Sequence, residues 1–585
     1  MTTGKAILAA ALLLAGGMAS AQPASRTINV AASPFTAAER SVPRQLNAAE
    51  RGQYAAIFRD IDAGRLTAAE KALSAMPRRG VLHPVAEARI LLGRGSKAGL
   101  TRLLSWLKDN PAAPDARAIA QLAHKAGGDS LPPLAATRQL LPVRLTPALN
   151  PRSARAENAI DAEFAAKART AVSAERPLDV EAMLDAQGAQ LSADIRSEWA
   201  ERAAWMAYIS LDDTTAFRLA RRAVSGTSEW AAMGHWVAAL ASFRQGDCEA
   251  AARHFDSIGE IYTASPDLRA AGAYWAARSQ VRCGRPWQST ERLRAAVSRA
   301  PDSFYGLLAA EALGIESGLD WREPDFIQAD WSTLSSHPGA RRAAALVEIG
   351  ELGLADRELR QLAVATSNDS YEPILRLAAR LDLPATQYWL AQNPPPGQMP
   401  PMSARFPNPN WTPLKGWRID RSLVFAHALQ ESKFITDARS GAGAKGVMQL
   451  MPGTARDVAR TLDIQHRDAL LGDPAYNIEY GQSYLEMLRD SPHTNGLLPK
   501  IMAAYNAGPG AVMKWNAGAL RDNGDVLLFM ESIPFLETRH YVEVVMRNYW
   551  LYQMKEQAQD PLAGDSNSIT AMAANRWPTL APGGN

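Results

Sequence analysis

The sequence predicts a mainly α protein, in which an N-terminal α-superhelical solenoid of helical hairpins is followed by a second, compact and mostly helical domain. Three observations carry this. From about Asn47 to about Ser335 the chain is rich in Ala, Leu, Arg and Glu, with apolar residues at helical spacing and few β-branched runs. One outline recurs there: a helix, a short turn holding Gly, then a second Ala-rich helix. Prolines then crowd between Asn393 and Pro413, and beyond them a new pattern of short helical segments and Gly-rich turns begins.

A chain of 585 residues holds several domains, and 47% hydrophobic with 21% charged residues is ordinary globular composition. A net charge of +3 on this length argues for neither nucleic acid nor membrane as a partner. At the N-terminus, Lys5 precedes an unbroken apolar run from Ala6 to Ala15, and Ala19-Ser20-Ala21 offers a small-x-small cleavage site before Gln22. Residues 1–21 therefore read as a secretory signal peptide, too short for a bilayer span. The first cysteine is Cys248, so no lipid anchor is expected at the new N-terminus, and the mature protein is expected to be soluble and exported.

The hairpins of the solenoid, residues 47–335, are placed at Tyr54 to Ala75 around Gly64, Trp236 to Phe255 around Gly246, and Tyr274 to Val297 around Gly284. A degenerate copy falls at Leu346 to Ala363, around Gly353. No single hairpin can bury its own apolar faces, so neighbours must stack. Cys248 and Cys283 stand about one hairpin apart, and in an oxidising compartment a disulfide or two buried thiols are both open. Residues 336–415 read as a linker region ending in the proline-rich connection, whose backbone should be extended. Residues 416–557 form the last domain, and 558–585, rich in Gly, Ser, Asn and Pro, read as a flexible tail.

In the last domain Asp420 is placed as the N-cap of a helix running through Leu423, Val424, Phe425, Ala428 and Leu429 to Glu431. Further helices are expected at Thr454 to Leu462, Asn477 to Asp490, Pro499 to Asn506, Ala511 to Ala517 and Tyr541 to Lys555. Gly441, Gly443 and Gly446 spell GxGxxG, but the preceding segment reads as helix and polar loop, so a dinucleotide site is not supported. Nine scattered histidines and two cysteines give no metal-ligand spacing, and no cofactor is expected. Acid/base chemistry by a carboxylate remains. Glu431 closes an apolar helix with His427, Ala428 and Val424 on its face, and burial there would raise its pKa into the range of a general acid.

Four blocks strengthen this: ESKFITDARSGAGAKGVMQLMPGTA from Glu431 to Ala455, DPAYNIEYGQSYL from Asp473 to Leu485, AYNAGPG from Ala504 to Gly510, and ESIPFLETRHYV from Glu531 to Val542. Together they closely resemble the soluble lytic transglycosylase family, whose catalytic domain is lysozyme-like. More weakly, the solenoid and the segment SFYGLLAAEALG, Ser303 to Gly314, resemble the superhelical domain of the large soluble members. The resemblance implies Glu431 as the lone catalytic acid/base, with Ser440 near it. It implies a strand-like cleft lining at Gly446-Val447-Met448-Gln449, where Val447 replaces the usual Leu. Met448, Gln449 and Met451 would line the sugar site, Tyr505 and Asn506 would face the acid, and Glu537 and Tyr541 would lie in the groove. Glu531 is read as structural. The implied partner is the peptidoglycan glycan strand, cut in the periplasm by a monomer between N-acetylmuramic acid and N-acetylglucosamine to leave a 1,6-anhydro end. A hydrolase using Asp437 as a second carboxylate, or a scaffold that only holds glycan, are the competing readings.

Overall fold

The computed structural model describes residues 41–145, 151–322, 325–560 and 568–581. The expected signal peptide lies outside the described residues. Among these the protein is helical throughout, with isolated β-bridges in place of strands. No described helix is long and apolar enough to cross a membrane.

The hairpins form where the turn chemistry put them. Helices Ala48–Asp62 and Leu66–Ser74 flank Gly64, Glu229–Gln245 and Cys248–Ile258 flank Gly246, and Pro266–Arg282 and Thr290–Arg299 flank Gly284. All three glycines have positive φ, between 73° and 89°, which an L side chain adopts only with strain. The first helix starts on a capping box, Asn47 accepting from the Glu50 amide while Glu50 accepts from the Asn47 amide. The degenerate fourth hairpin exists as Pro338–Glu348 and Leu352–Ala365, but it turns at Gly350, also at positive φ, and Gly353 lies inside the second helix.

Stacking buries these helices on nearly all sides. Helices Ala193–Ile209, Glu229–Gln245 and Pro266–Arg282 are Ala-rich, so their backbones approach closely around a few large side chains such as Tyr208, Trp236 and Trp275. Trp275 has no exposed surface and meets Trp236, Phe243 and Phe255 in ring contacts. An aromatic pair of this kind adds about 1 kcal/mol beyond its buried area.

The array also returns on itself. The Gln45 amide donates to Glu348 at 2.5 Å, Arg51 pairs with the same carboxylate, and Arg357 pairs with Asp115. Backbone bonds from Arg138 to Val364 and from Val143 to Gln392 continue the seam. Residues 41–145 are thus fastened to a layer of helices more than two hundred residues further along the chain.

In the C-terminal region the expected helices form as Arg421–Ser432, Pro452–Leu462, Pro474–Arg489, Leu498–Ala507, Pro509–Lys514 and Leu536–Gln559. A helix at Val526–Glu531 escaped the sequence reading, and one turn, Met402–Arg405, interrupts the proline-rich connection. The expected flexible tail needs correcting. Ser568–Ala573 is helical, Met572 is fully buried, Trp550 donates to Ser568, and Leu580 bonds through its amide to Gly496. Apolar residues Ile569, Met572 and Leu580, spaced among the Gly and Asn that suggested disorder, supply this docking.

Cys248 and Cys283 are joined as a disulfide between adjacent hairpins, their Cα atoms 5.6 Å apart across 35 residues of sequence. Closing a loop of that length should stabilise the fold by about 3–4 kcal/mol through the unfolded chain. Non-reducing mass spectrometry after alkylation under denaturing conditions should find no free thiol. Cys283→Ser should lower the unfolding free energy read from urea titrations by a matching amount.

Candidate active site

Two helices build the site. Arg421–Ser432 begins on Asp420, whose carboxylate accepts from the Ser422 amide at 2.9 Å. The same carboxylate accepts from Tyr549 at 2.7 Å and from Gln553 at 3.1 Å, both on Leu536–Gln559. At the other end of the pair, Tyr541 donates to Glu431 Oε1 at 2.7 Å. Contacts that run 420 to 549 and 431 to 541 make the helices antiparallel and pin them at both ends. Between the pins Leu423, Val424, Phe425, Ala426 and Ala428 are buried, which is why an apolar stretch ends in a carboxylate at the edge of the domain.

The pKa of Glu431 is raised from 4.5 to about 7. Loss of hydration is the main cause, the Tyr541 hydrogen bond opposes it, and the Glu537 carboxylate adds to it. The expectation from Val424 and Ala428 is met in kind. Tyr541 and Tyr505 both have pKa values well above the usual phenol range, from burial and from the charge of Glu431, so both remain hydroxyl donors.

Opposite Glu431 the chain turns sharply at Lys445–Leu450, closed by mutual backbone bonds between those two residues. This corrects the strand-like expectation for Gly446 to Gln449: the segment is a tight turn, with Gln449 itself at φ 44°. Ser432 donates to the Val447 carbonyl, and Asn477 accepts from the Met448 amide while donating to the Lys445 and Leu471 carbonyls. Ser432 and Asn477 thus fix the turn against both neighbouring helices. Neither was singled out from the sequence, although both lie in the quoted blocks.

Met448 was expected to contact sugar, and its side chain is fully buried. Its sulfur occupies the space that a Cβ on Gly481 would fill, so a glycine is needed there. What Met448 offers the site is its carbonyl, which accepts from Tyr505 at 2.8 Å. Gln449 turns its amide nitrogen back onto the Ala438 and Gly446 carbonyls, bracing the turn. Met451 is exposed at 42%. Ser440 is exposed too, and its hydroxyl is taken up by the Ala444 amide in the Ser440–Ala444 loop rather than by the acid.

Tyr505 and Asn506 end helix Leu498–Ala507. The Tyr505 and Tyr541 rings lie nearly parallel, 8° apart, with centroids separated by 6.5 Å. Asn506 accepts from Thr538 at 2.6 Å, and its amide nitrogen has no partner among the described residues. Glu537 is exposed one turn before Tyr541. Asp437 is exposed as well, and its charge acts on Asp356 and Arg360 rather than on Glu431. Glu531 is buried and accepts from Tyr305, joining the C-terminal domain to the helical array. Sequence reasoning passed over His427 except as a neighbour of Glu431. It is fully buried and its Nδ1 lies 2.7 Å from the Tyr541 hydroxyl oxygen.

Comparison with known proteins agrees with this geometry. Residues 412–526 match the model of the transglycosylase SLT domain. The chain is 31% identical over 307 residues to the soluble lytic murein transglycosylase of Salmonella typhimurium and 30% identical over 319 residues to that of Escherichia coli K12. These matches cover about half of this chain, 50% and 52%, and 45% of each relative. In fold, it matches the crystal structure of the 70 kDa soluble lytic transglycosylase of Escherichia coli with a TM-score of 0.54 at 20% identity, covering 91% of this chain and 99% of that one. A complex of the 70 kDa soluble lytic transglycosylase with bulgecin A matches with a TM-score of 0.52 at 19% identity, covering 91% of this chain and 99% of that one. Residues 412–526, with Glu431 at the end of helix Arg421–Ser432 within them, thus match the transglycosylase SLT domain, and the chain spans less than half the length of the soluble lytic murein transglycosylases it is similar to.

Proposed function

We propose that the protein is an exported, monomeric lytic transglycosylase of the periplasm that cleaves the bond between N-acetylmuramic acid and N-acetylglucosamine in peptidoglycan and leaves 1,6-anhydro ends. The division into a solenoid at 47–335, a linker region at 336–415 and a catalytic domain at 416–557 belongs to this proposal. The observation that carries it is a single carboxylate held out of water, Glu431, with a pKa of about 7; among the described residues the carboxylate whose charge acts on it is Glu537, exposed on the partner helix.

Ordinary glycosidases divide the work between two carboxyl groups. Here Glu431, still protonated near neutrality, gives its proton to the oxygen linking the two sugars as that bond breaks. The positive charge developing at the anomeric carbon is met by the carbonyl oxygen of the substrate's own N-acetyl group. Asn506, whose amide oxygen accepts from Thr538, has an amide nitrogen suited to hold that group. Glu431, now ionised and steadied by the Tyr541 hydroxyl, takes the proton from the muramic 6-hydroxyl, whose oxygen closes onto the anomeric carbon. One bond breaks, one forms, Glu431 recovers its proton, and no water is consumed. The attacking hydroxyl is already on the ring, so proximity provides much of the advantage over water. A hydrolase would need Asp437 across from Glu431, and its charge acts on the Leu352–Ala365 helix instead.

The test is mass spectrometry of soluble products from purified peptidoglycan. Wild-type protein should release muropeptides one water lighter than hydrolysis products, and Glu431→Gln should lower the rate by roughly 10³-fold. Reducing ends would indicate a muramidase, and no product from wild-type protein would favour the scaffold reading.

Glu431 must be protonated to begin, so the rate should fall as pH rises through about 7, with Glu537→Gln moving that limb to lower pH because it removes a repelling charge. Stability should show the same group. A folded-state pKa above the usual 4.5 means that the native protein holds the proton more tightly than the unfolded chain, so ionisation weakens the fold as pH rises from about 4.5 to about 7. The full shift corresponds to about 3 kcal/mol, reduced by whatever share water still screens. Glu431→Gln should therefore be more stable than wild type at pH 8, with the difference shrinking toward pH 4.5 in denaturant titrations.

A further inference from the structure

Behind the acid lies a histidine that the proposed reaction does not use. His427 sits one helical turn before Glu431, is fully buried, and has one polar partner, the Tyr541 hydroxyl at 2.7 Å. Its other ring nitrogen, Nε2, is buried with no partner among the described residues. Burial alone pulls its pKa down to about 3, so the ring is neutral at any working pH. The Tyr505 ring packs on it with centroids 4.7 Å apart, and Tyr484 stands behind Tyr505.

A neutral imidazole with one engaged nitrogen must choose a tautomer, and the neighbours decide it. The strongest acceptor within reach of Tyr541 is the Glu431 carboxylate, and Tyr541 donates to it. The phenolic oxygen then presents its lone pairs to His427, so Nδ1 must carry the hydrogen. Nε2 is left as a bare acceptor in apolar surroundings, which is less costly than a stranded N–H. The opposite tautomer would strand that N–H and turn the Tyr541 proton away from Glu431.

We propose that His427, as the Nδ1–H tautomer, is a positioning residue that holds the Tyr541 hydroxyl aimed at Glu431 and so sets how tightly Glu431 keeps its proton. This rests on Glu431 being the acid/base of the proposed reaction. A hydroxyl that accepts one hydrogen bond becomes a better donor of the next, so His427 strengthens the Tyr541 bond to the ionised acid. The other groups facing Glu431 are Glu537, which favours the protonated form, and Tyr505, whose hydroxyl is committed to the Met448 carbonyl. No cation acts on Glu431 among the described residues, so the chain through Tyr541 is what opposes burial.

The test compares wild type with His427→Leu, which deletes the donor, and His427→Asn, whose amide nitrogen can take the place of Nδ1. Two readouts are followed: the alkaline limb of muropeptide release, and the carboxyl ¹³C titration of Glu431, assigned by its loss in Glu431→Gln. In His427→Leu both midpoints should rise by about half a pH unit, a roughly threefold tighter hold on the proton, and His427→Asn should restore them. A rate loss with unmoved midpoints, or equal shifts in both variants, would overturn the proposal. If wild type releases no product while the carboxyl titration still shifts as stated, the assigned reaction fails and the coupling stands. Should His427→Leu not fold, the imidazole ¹⁵N shifts of wild type decide alone, since an Nε2–H pattern overturns the assignment.

Discussion

Glu431, a carboxylate on which no cation acts among the described residues and which burial has largely stripped of water, has to be held by geometry. Here the geometry is the antiparallel pairing of Arg421–Ser432 with Leu536–Gln559. Asp420 with Tyr549 and Gln553 fixes one end, which leaves Glu431 opposite Tyr541 at the other. Slipping either helix by one turn would move Glu431 about 5 Å from its donor and leave Asp420 without its partners. Everything between the two helices in sequence, from the Lys445–Leu450 turn to the Tyr505 helix, then builds the remaining walls onto a pair already in register.

The second helix of that pair also joins the domain to the array. Arg547 bonds to Asp302, Trp550 stacks on Phe304 with centroids 5.0 Å apart, and just ahead of the helix Glu531 accepts from Tyr305. Tyr541 and Arg547 are six residues apart, so one face of a single helix supports the acid while another is gripped by the solenoid. Buried ion pairs of this sort add little net stability, because desolvation cancels most of the attraction. What they do is penalise any arrangement in which the charges are left unpaired, and that fixes the angle at which the helix enters the domain.

Much of this was legible in sequence because it depends on local pattern. The Gly turns of the hairpins, the Asp420 cap and the apolar run ending in Glu431 each follow from a few adjacent residues. Tyr505, Asn506 and Tyr541 were legible only through resemblance, since nothing local says that residues 110 positions apart will meet. The strand-like lining expected at Gly446 to Gln449 came from the resemblance alone, which carries residue identities and not the local backbone, and the segment is a turn. Here the turn exists because Asn477, 29 residues further along the chain on helix Pro474–Arg489, satisfies the Met448 amide. The C-terminal residues were read as free because Gly, Asn and Pro dominate the composition, whereas docking needed only Ile569, Met572 and Leu580.

The groups gathered around Glu431 are chemically narrow. Tyr541 and Tyr505 titrate far above neutrality, and His427 far below it, with burial responsible in each case. The Tyr505 hydroxyl is spent on the Met448 carbonyl, and Asn506 cannot ionise. Near neutral pH the buried part of the site can therefore gain or lose one proton, and that proton is on Glu431. A reaction that hands a proton to a leaving oxygen and then takes one back from an attacking hydroxyl needs that single exchangeable proton and no more. A two-carboxylate hydrolysis would pair such an acid with a second carboxylate that stays ionised, and the carboxylate whose charge acts on Glu431 is Glu537, which is exposed on the partner helix.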